Sequence, residues 1–183
     1  MAVHIQHITV EEFDEFVTLP ENAERLFEYI GGEVVEGVSN QQSSAIAYRL
    51  GLLVGMYLLQ NNIGMVGTGA DGGYRIAGER YMPDVAFVSK DRQPEPSDQA
   101  YSPIPPDLAI EVLSPSNTAH EMRIKVVNYL SVGTVVWVVD PDRKRVEVYT
   151  SGQPVRQIGI DGVLDGGAVL PGFGVAVKDI FEV

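Results

Sequence analysis

The chain has 183 residues, 13 basic against 25 acidic, a formal net charge of −12, and no cysteine. That acidity argues against a general DNA-coating protein, because non-specific binding rests on phosphate neutralisation by lysine and arginine. Without thiols, disulfides and thiolate metal sites are excluded, as fits a reducing compartment. The length suits one domain over residues 1–183, burying roughly 70% of its unfolded surface. No run reaches the ~18 apolar residues of a membrane span. The first residues also lack a basic region followed by an apolar run, so a cytoplasmic protein is expected.

Along the chain, Thr9-Val10-Glu11-Glu12 is a capping-box pattern and predicts a short helix through Phe16, ended by Pro20. Leu26–Ile30, Gly31-Gly32 and Glu33–Val38 predict a β-hairpin on a two-glycine turn. Ser39 with Gln42 predicts the cap of a helix reaching about Gln60. That helix is apolar on most faces (Ile46, Leu50, Leu52, Leu53, Val54, Met56, Leu58, Leu59), so it is deeply buried or part of a subunit interface, and a homodimer is expected.

Strands follow at Gly64–Gly67, Tyr74–Ile76, Asp84–Ser89 and Leu108–Leu113. The proline-rich segment Asp91–Pro106 between the last two is a functional loop or a solvated connection. Thr118 with Glu121 opens a helix over Ala119–Ser131, which Gly133 stops. Thr134–Asp140 reads as a buried strand, Asp140–Arg143 as a turn and Arg145–Thr150 as an outer strand. Gln153–Val183 reads as an edge hairpin and a tail.

Asp84 and Glu111 each stand inside, or at the mouth of, an apolar strand. Burying a carboxylate costs several kcal/mol unless something compensates it. Two of them at the ends of paired strands would compensate each other through a shared cation. Carboxylate oxygens with water suit Mg²⁺ or Mn²⁺, and the backbone carbonyl of Val112 could add a ligand. The competing reading is a turn aspartate after Pro83 and a glutamate paired with a basic group.

These stretches resemble the Uma family, whose members are described as restriction endonucleases of the PD-(D/E)XK nuclease superfamily. The resemblance rests on Met82-Pro83-Asp84-Val85 followed by Ile110–Ser116, and on Phe27–Glu33, Lys125–Tyr129 and Val132–Pro141, in family order. It implies an α/β fold, a restriction-endonuclease-like mixed sheet flanked by helices. The N-terminal helix and hairpin and the C-terminal strands would be additions to that core. It further implies a metal-dependent endonuclease acting on DNA, with Asp84 and Glu111 as metal ligands. The superfamily usually has lysine two residues after the second acid, where this chain has Leu113. The resemblance assigns that role to Lys125, as in branches that supply lysine from the following helix. Glu28 and Glu33 match acidic positions of the family hairpin. Family members often carry histidine near the start of the long helix, where this chain has Ser39–Ser44.

Periodicity alone places Lys125 differently. Ala119, Val126, Val127 and Leu130 form the apolar arc of their helix, and Lys125 falls with Glu121 and Asn128 on the polar side. That position suits an exposed i,i+4 partner of Glu121. The free N–H groups at this helix start could receive a phosphate beside Ser114, Ser116 and His120, but local cap chemistry accounts for those residues. Gly67–Gly72 spells G-x-G-x-x-G without a following helix and reads as a glycine-rich hairpin turn. His4 and His7 fall in a terminus expected to be mobile, with no third ligand for zinc. A different class also fits the acidity and Leu113: a nuclease-fold scaffold that binds or self-assembles without turnover.

Overall fold

The computed structural model describes residues 4–22, 25–37, 39–68 and 72–182. The predicted strand end at Val38 and the middle of Gly67–Gly72 lie outside them. The described elements run β1 (His4–His7), α1 (Val10–Phe16), a 3-10 turn at Pro20–Asn22, β2 (Phe27–Ile30), β3 (Glu33–Glu36), α2 (Gln41–Asn61) and β4 (Gly64–Thr68). Then come β5 (Gly73–Ile76), β6 (Glu79–Tyr81), β7 (Val85–Ser89), β8 (Tyr101–Ser102), β9 (Leu108–Val112), α3 (Ala119–Ser131) and β10 (Val135–Asp140). The chain continues through β11 (Arg145–Tyr149), β12 (Arg156–Ile158), β13 (Val163–Asp165), β14 (Gly174–Ala176) and α4 (Val177–Phe181).

The strands form two six-stranded sheets, in the orders β1-β3-β2-β6-β5-β8 and β12-β11-β10-β9-β7-β4, with β13-β14 as a separate pair. The expected mixed α/β architecture is present, but divided between two large sheets. In the second sheet β9 and β10 are parallel while the other neighbours are antiparallel. Parallel neighbours need a long crossover, and α3 supplies it.

The two central strands of this sheet, Leu108–Val112 and Val135–Asp140, are almost wholly buried, so both sheet faces are covered. Leu108, Ile110, Val112, Trp137 and Val139 turn to one face, where Ile46, Leu50, Val54 and Leu58 of α2 pack. Ala109, Val136 and Val138 turn to the other, against Val126 and Tyr129 of α3 and Ile30, Val35, Ile76 and Tyr81 of the first sheet. Because side chains alternate along a strand, Glu111 shares the face of Ala109 and looks toward α3. That alternation sets up the site.

Local chemistry explains most boundaries. Thr9 and Thr118 form reciprocal capping boxes with Glu12 and Glu121. Gly31 and Gly32 take φ of +62° and +86°, the left-handed pair that a two-residue hairpin turn demands. Gly133, at φ +84°, ends α3.

Several expectations need correction. The cap of α2 is Asn40 and not Ser39, with the Asn40 side chain accepting from the Ser43 N–H. His4–His7 is not a loose terminus: β1 pairs antiparallel with β3, extending the first sheet. The strands that flank the glycine-rich segment do not pair with each other, since β4 pairs with β7 and β5 with β6 and β8 in the other sheet. The proline-rich segment holds the short strand β8, parallel to β5. The largest correction concerns α3. Its buried residues are Glu121, Lys125, Val126 and Tyr129, while Val127 is 64% exposed. The helix turns much of its polar face inward, because the groups it must reach are buried carboxylates.

Candidate active site

β7 and β9 pair with Val85 opposite Ile110, which brings Asp84, just before β7, beside the end of β9. One Asp84 oxygen accepts the Val112 N–H at 2.7 Å, tying the two strand ends together. Glu111 is buried on the α3 side of β9. Lys125 Nζ donates to it at 2.8 Å, and the Tyr129 hydroxyl donates to it at 2.9 Å. Lys125 and Tyr129 are one helical turn apart and so reach the same acid. Glu28 of β2 completes the cluster, accepting from Lys125 at 2.9 and 3.2 Å and from the Met82 N–H at 2.6 Å. The Lys125 ammonium also lies 5.5 Å from the centre of the Tyr81 ring.

The electrostatics follow from burial and from a shortage of positive charge. Burial, with Glu28 and Asp84 nearby, pushes the Glu111 carboxyl up to about 7 against the pull of Lys125. Burial also raises Asp84, more than the Val112 N–H and Lys125 lower it. Burial alone would lower Lys125, but Glu111 and Glu28 outweigh it and hold the ammonium protonated above its ordinary range. Burial and the neighbouring Glu111 hold Tyr129 protonated.

Glu28, Asp84, Glu111 and Lys125 line one cavity of about 420 Å³, walled by Leu26, Tyr48 and Met82 and edged by Ser114, Ser116 and Asn117. Among the described residues, no three His, Asp or Glu side chains are gathered to hold a metal ion by themselves. Three carboxylates, Glu28, Asp84 and Glu111, and one ammonium, Lys125, are the charged groups of its lining.

Of the sequence candidates, Asp84, Glu111, Lys125, Glu28 and the backbone of Val112 meet here. Glu33 does not line the cavity and lies 3.4 Å from His7 at the hairpin edge. Lys125 is not the exposed partner of Glu121 that its periodicity suggested, being 3% exposed. At the start of α3, Ser114, Ser116 and Asn117 bond one another, the local chemistry expected of them. His120 is exposed and outside the cavity. Near the start of α2 the Ser43 hydroxyl donates to the Leu113 carbonyl at 2.9 Å and pins α2 to the end of β9. Sequence reasoning gave no part to Tyr129. Its spacing of four from Lys125 was the available signal.

A crystal structure described as a putative nuclease belonging to DUF820, from Anabaena variabilis ATCC 29413, has this fold. Its TM-score is 0.81 at 24% identity, covering 95% of this chain and 97% of that one. No curated protein matches the chain. The family model described as Uma2, putative restriction endonuclease, matches residues 13–178, nearly the whole chain. The chain therefore belongs to the Uma2 family.

Proposed function

We propose that this protein is an endonuclease that hydrolyses DNA phosphodiester bonds with Mg²⁺ or Mn²⁺, as a single domain. The observation that carries this reading is the convergence of Asp84, Glu111 and Lys125 on one cavity from three separate elements, with Lys125 Nζ 2.8 Å from Glu111.

The donor set fits a hard divalent cation. Glu28, Asp84 and Glu111 face a single ammonium, and burial pushes both Asp84 and Glu111 up against the pull of Lys125. Asp84, Glu111 and the Val112 carbonyl would hold the ion. Once bound, such an ion supplies Lewis acidity and a water of lowered pKa. The chain's own residues do the rest. Lys125 keeps its proton and presents positive charge beside Glu111, where negative charge grows on a phosphate under attack. Glu28 holds Lys125 from the opposite side. Tyr129 fixes the rotamer of Glu111, and the Val112 N–H fixes that of Asp84.

The test is cleavage of supercoiled, linear and single-stranded DNA with Mg²⁺ or Mn²⁺. Asp84→Ala is expected to abolish metal-supported cleavage while the chain stays folded; retained cleavage sinks the assignment. Loss in both Asp84→Ala and Lys125→Ala, each still folded by circular dichroism, supports the displaced lysine, and loss in Asp84→Ala alone rejects it.

One observation favours a second reading. Lys125 is engaged by two acids and Glu111 already takes donors from both Lys125 and Tyr129. A closed ion cluster of this kind would serve a scaffold without turnover. Absence of cleavage on every substrate, together with no thermal shift on adding Mn²⁺, is the outcome that selects it.

A further inference from the structure

Helix α2 carries large apolar side chains on its outer face as well as its inner one. Ile46, Leu50, Val54 and Leu58 face the core. On the opposite side Tyr48 is 72% exposed, Leu52 49%, Met56 51% and Leu59 87%. At 100° per residue these four fall within an arc of about 80°, a single stripe along a helix about 30 Å long. They are four of the nine exposed large hydrophobic residues among those described. Exposed apolar side chains gathered in one stripe mark an interaction surface.

The charge pattern says what covers it. The chain carries −12, yet Gln41–Asn61 contains no aspartate, glutamate or lysine. Two copies meeting through most other faces would set acid against acid. Through this helix they would not. Its one charged residue, Arg49, flanks the stripe.

The pattern is also self-complementary. About Leu52, Tyr48 and Met56 are equally spaced, as are Ala45 and Leu59. A two-fold axis through Leu52 that pairs the helices antiparallel sets Leu52 against itself, Tyr48 level with the partner's Met56, and small Ala45 level with the partner's Leu59. On either side of the central Leu52 pair, large residues thus meet small or flexible ones.

We propose that α2 is an antiparallel homodimerisation helix centred on Leu52, forming the core of an interface of the ordinary size, about 800 Å² per partner. Tyr48 also lines the candidate active cavity. The partner's Met56 therefore packs on a residue of the cavity wall, and the second copy stands at the mouth of the site. This inference does not depend on the site being a nuclease.

The absence of native cysteine makes the register directly testable. Light scattering at micromolar concentration is expected to give a dimer for the wild type and a monomer for Leu52→Glu, with unchanged circular dichroism. Under mild oxidation Leu52→Cys is expected to cross-link to its own copy. Leu59→Cys, whose two copies would stand about 20 Å apart along the axis, is expected to cross-link only when paired with Ala45→Cys. A monomeric wild type, a Leu52→Glu dimer, or self-cross-linking of Leu59→Cys in preference to Leu52→Cys would overturn the proposal. A monomer would mean that another protein, or nothing, covers the helix.

Discussion

Lys125 lies on the polar arc of its helix by periodicity, and yet it is among the most buried ionisable groups described. The contradiction resolves at Glu111. A buried carboxylate on the α3 side of β9 needs a cation. Replacing Lys125 by methionine leaves Glu28 and Glu111 facing each other without that cation. Lys125→Met should therefore lose about 3–5 kcal/mol of stability, and the loss should be larger at pH 8 than at pH 5, where the acids can take protons. Urea unfolding at the two pH values checks this. Tyr129→Phe keeps the ring and deletes only the donor to Glu111. We expect it to fold and to cut about 10–100-fold more slowly, or to need correspondingly more Mn²⁺. A metal titration of the cleavage rate separates these outcomes from no effect, which would remove Tyr129 from the site.

Among elements, the ends of helices were the most legible because capping is local. Thr9 with Glu12 and Thr118 with Glu121 act within three residues, and both boxes form as the sequence predicts. The start of α2 was misplaced by one residue because Ser39 and Asn40 are both good caps, and only the backbone path into the helix chooses between them. Asn40→Ala should cost about 1 kcal/mol, whereas Ser39→Ala should stay within about 0.5 kcal/mol. Thermal unfolding of the two variants decides it, and a reversed order would return the cap to Ser39. Strands were harder. β6 and β8 have three and two residues, too few for an alternation to show, and they exist because neighbouring backbones offer partners. β1 was missed for the same reason: its partner β3 lies beyond the whole of α1.

For the whole molecule, the titration of buried acids predicts how stability depends on pH. Glu111 is raised from its ordinary 4.5 to about 7, so the fold binds a proton there that the unfolded chain gives up. That contribution is full below about pH 4.5 and is lost as pH rises through 7. Asp140 runs the other way. Burial would raise it, but the Arg143 N–H and guanidinium, with Arg145 behind, hold it below 3.8. Its contribution is present above 3.8 and is lost as pH falls through the lower folded value. The metal-free protein, melted with a chelator present, should therefore be most stable near pH 5 and weaken toward pH 8. Glu111→Gln should flatten the alkaline side. A stability that climbs steadily from pH 5 to pH 8 in the wild type would contradict the raised acid.

By itself the sequence determined helices α1, α2 and α3 and the capping boxes of α1 and α3, the glycine hairpin, the buried strands around Glu111 and Trp137, and the ordered motifs of the Uma2 family. These depend on residues near one another in the chain, where composition and spacing carry the physical constraint. Only the tertiary structure decided that the strands divide into two sheets, that α3 turns Lys125 and Tyr129 inward, that Glu28 joins the cluster, and that Glu33 does not. Each of those depends on which distant partner is close enough to satisfy a buried charge or a strand edge. That distance is set by packing across the whole chain.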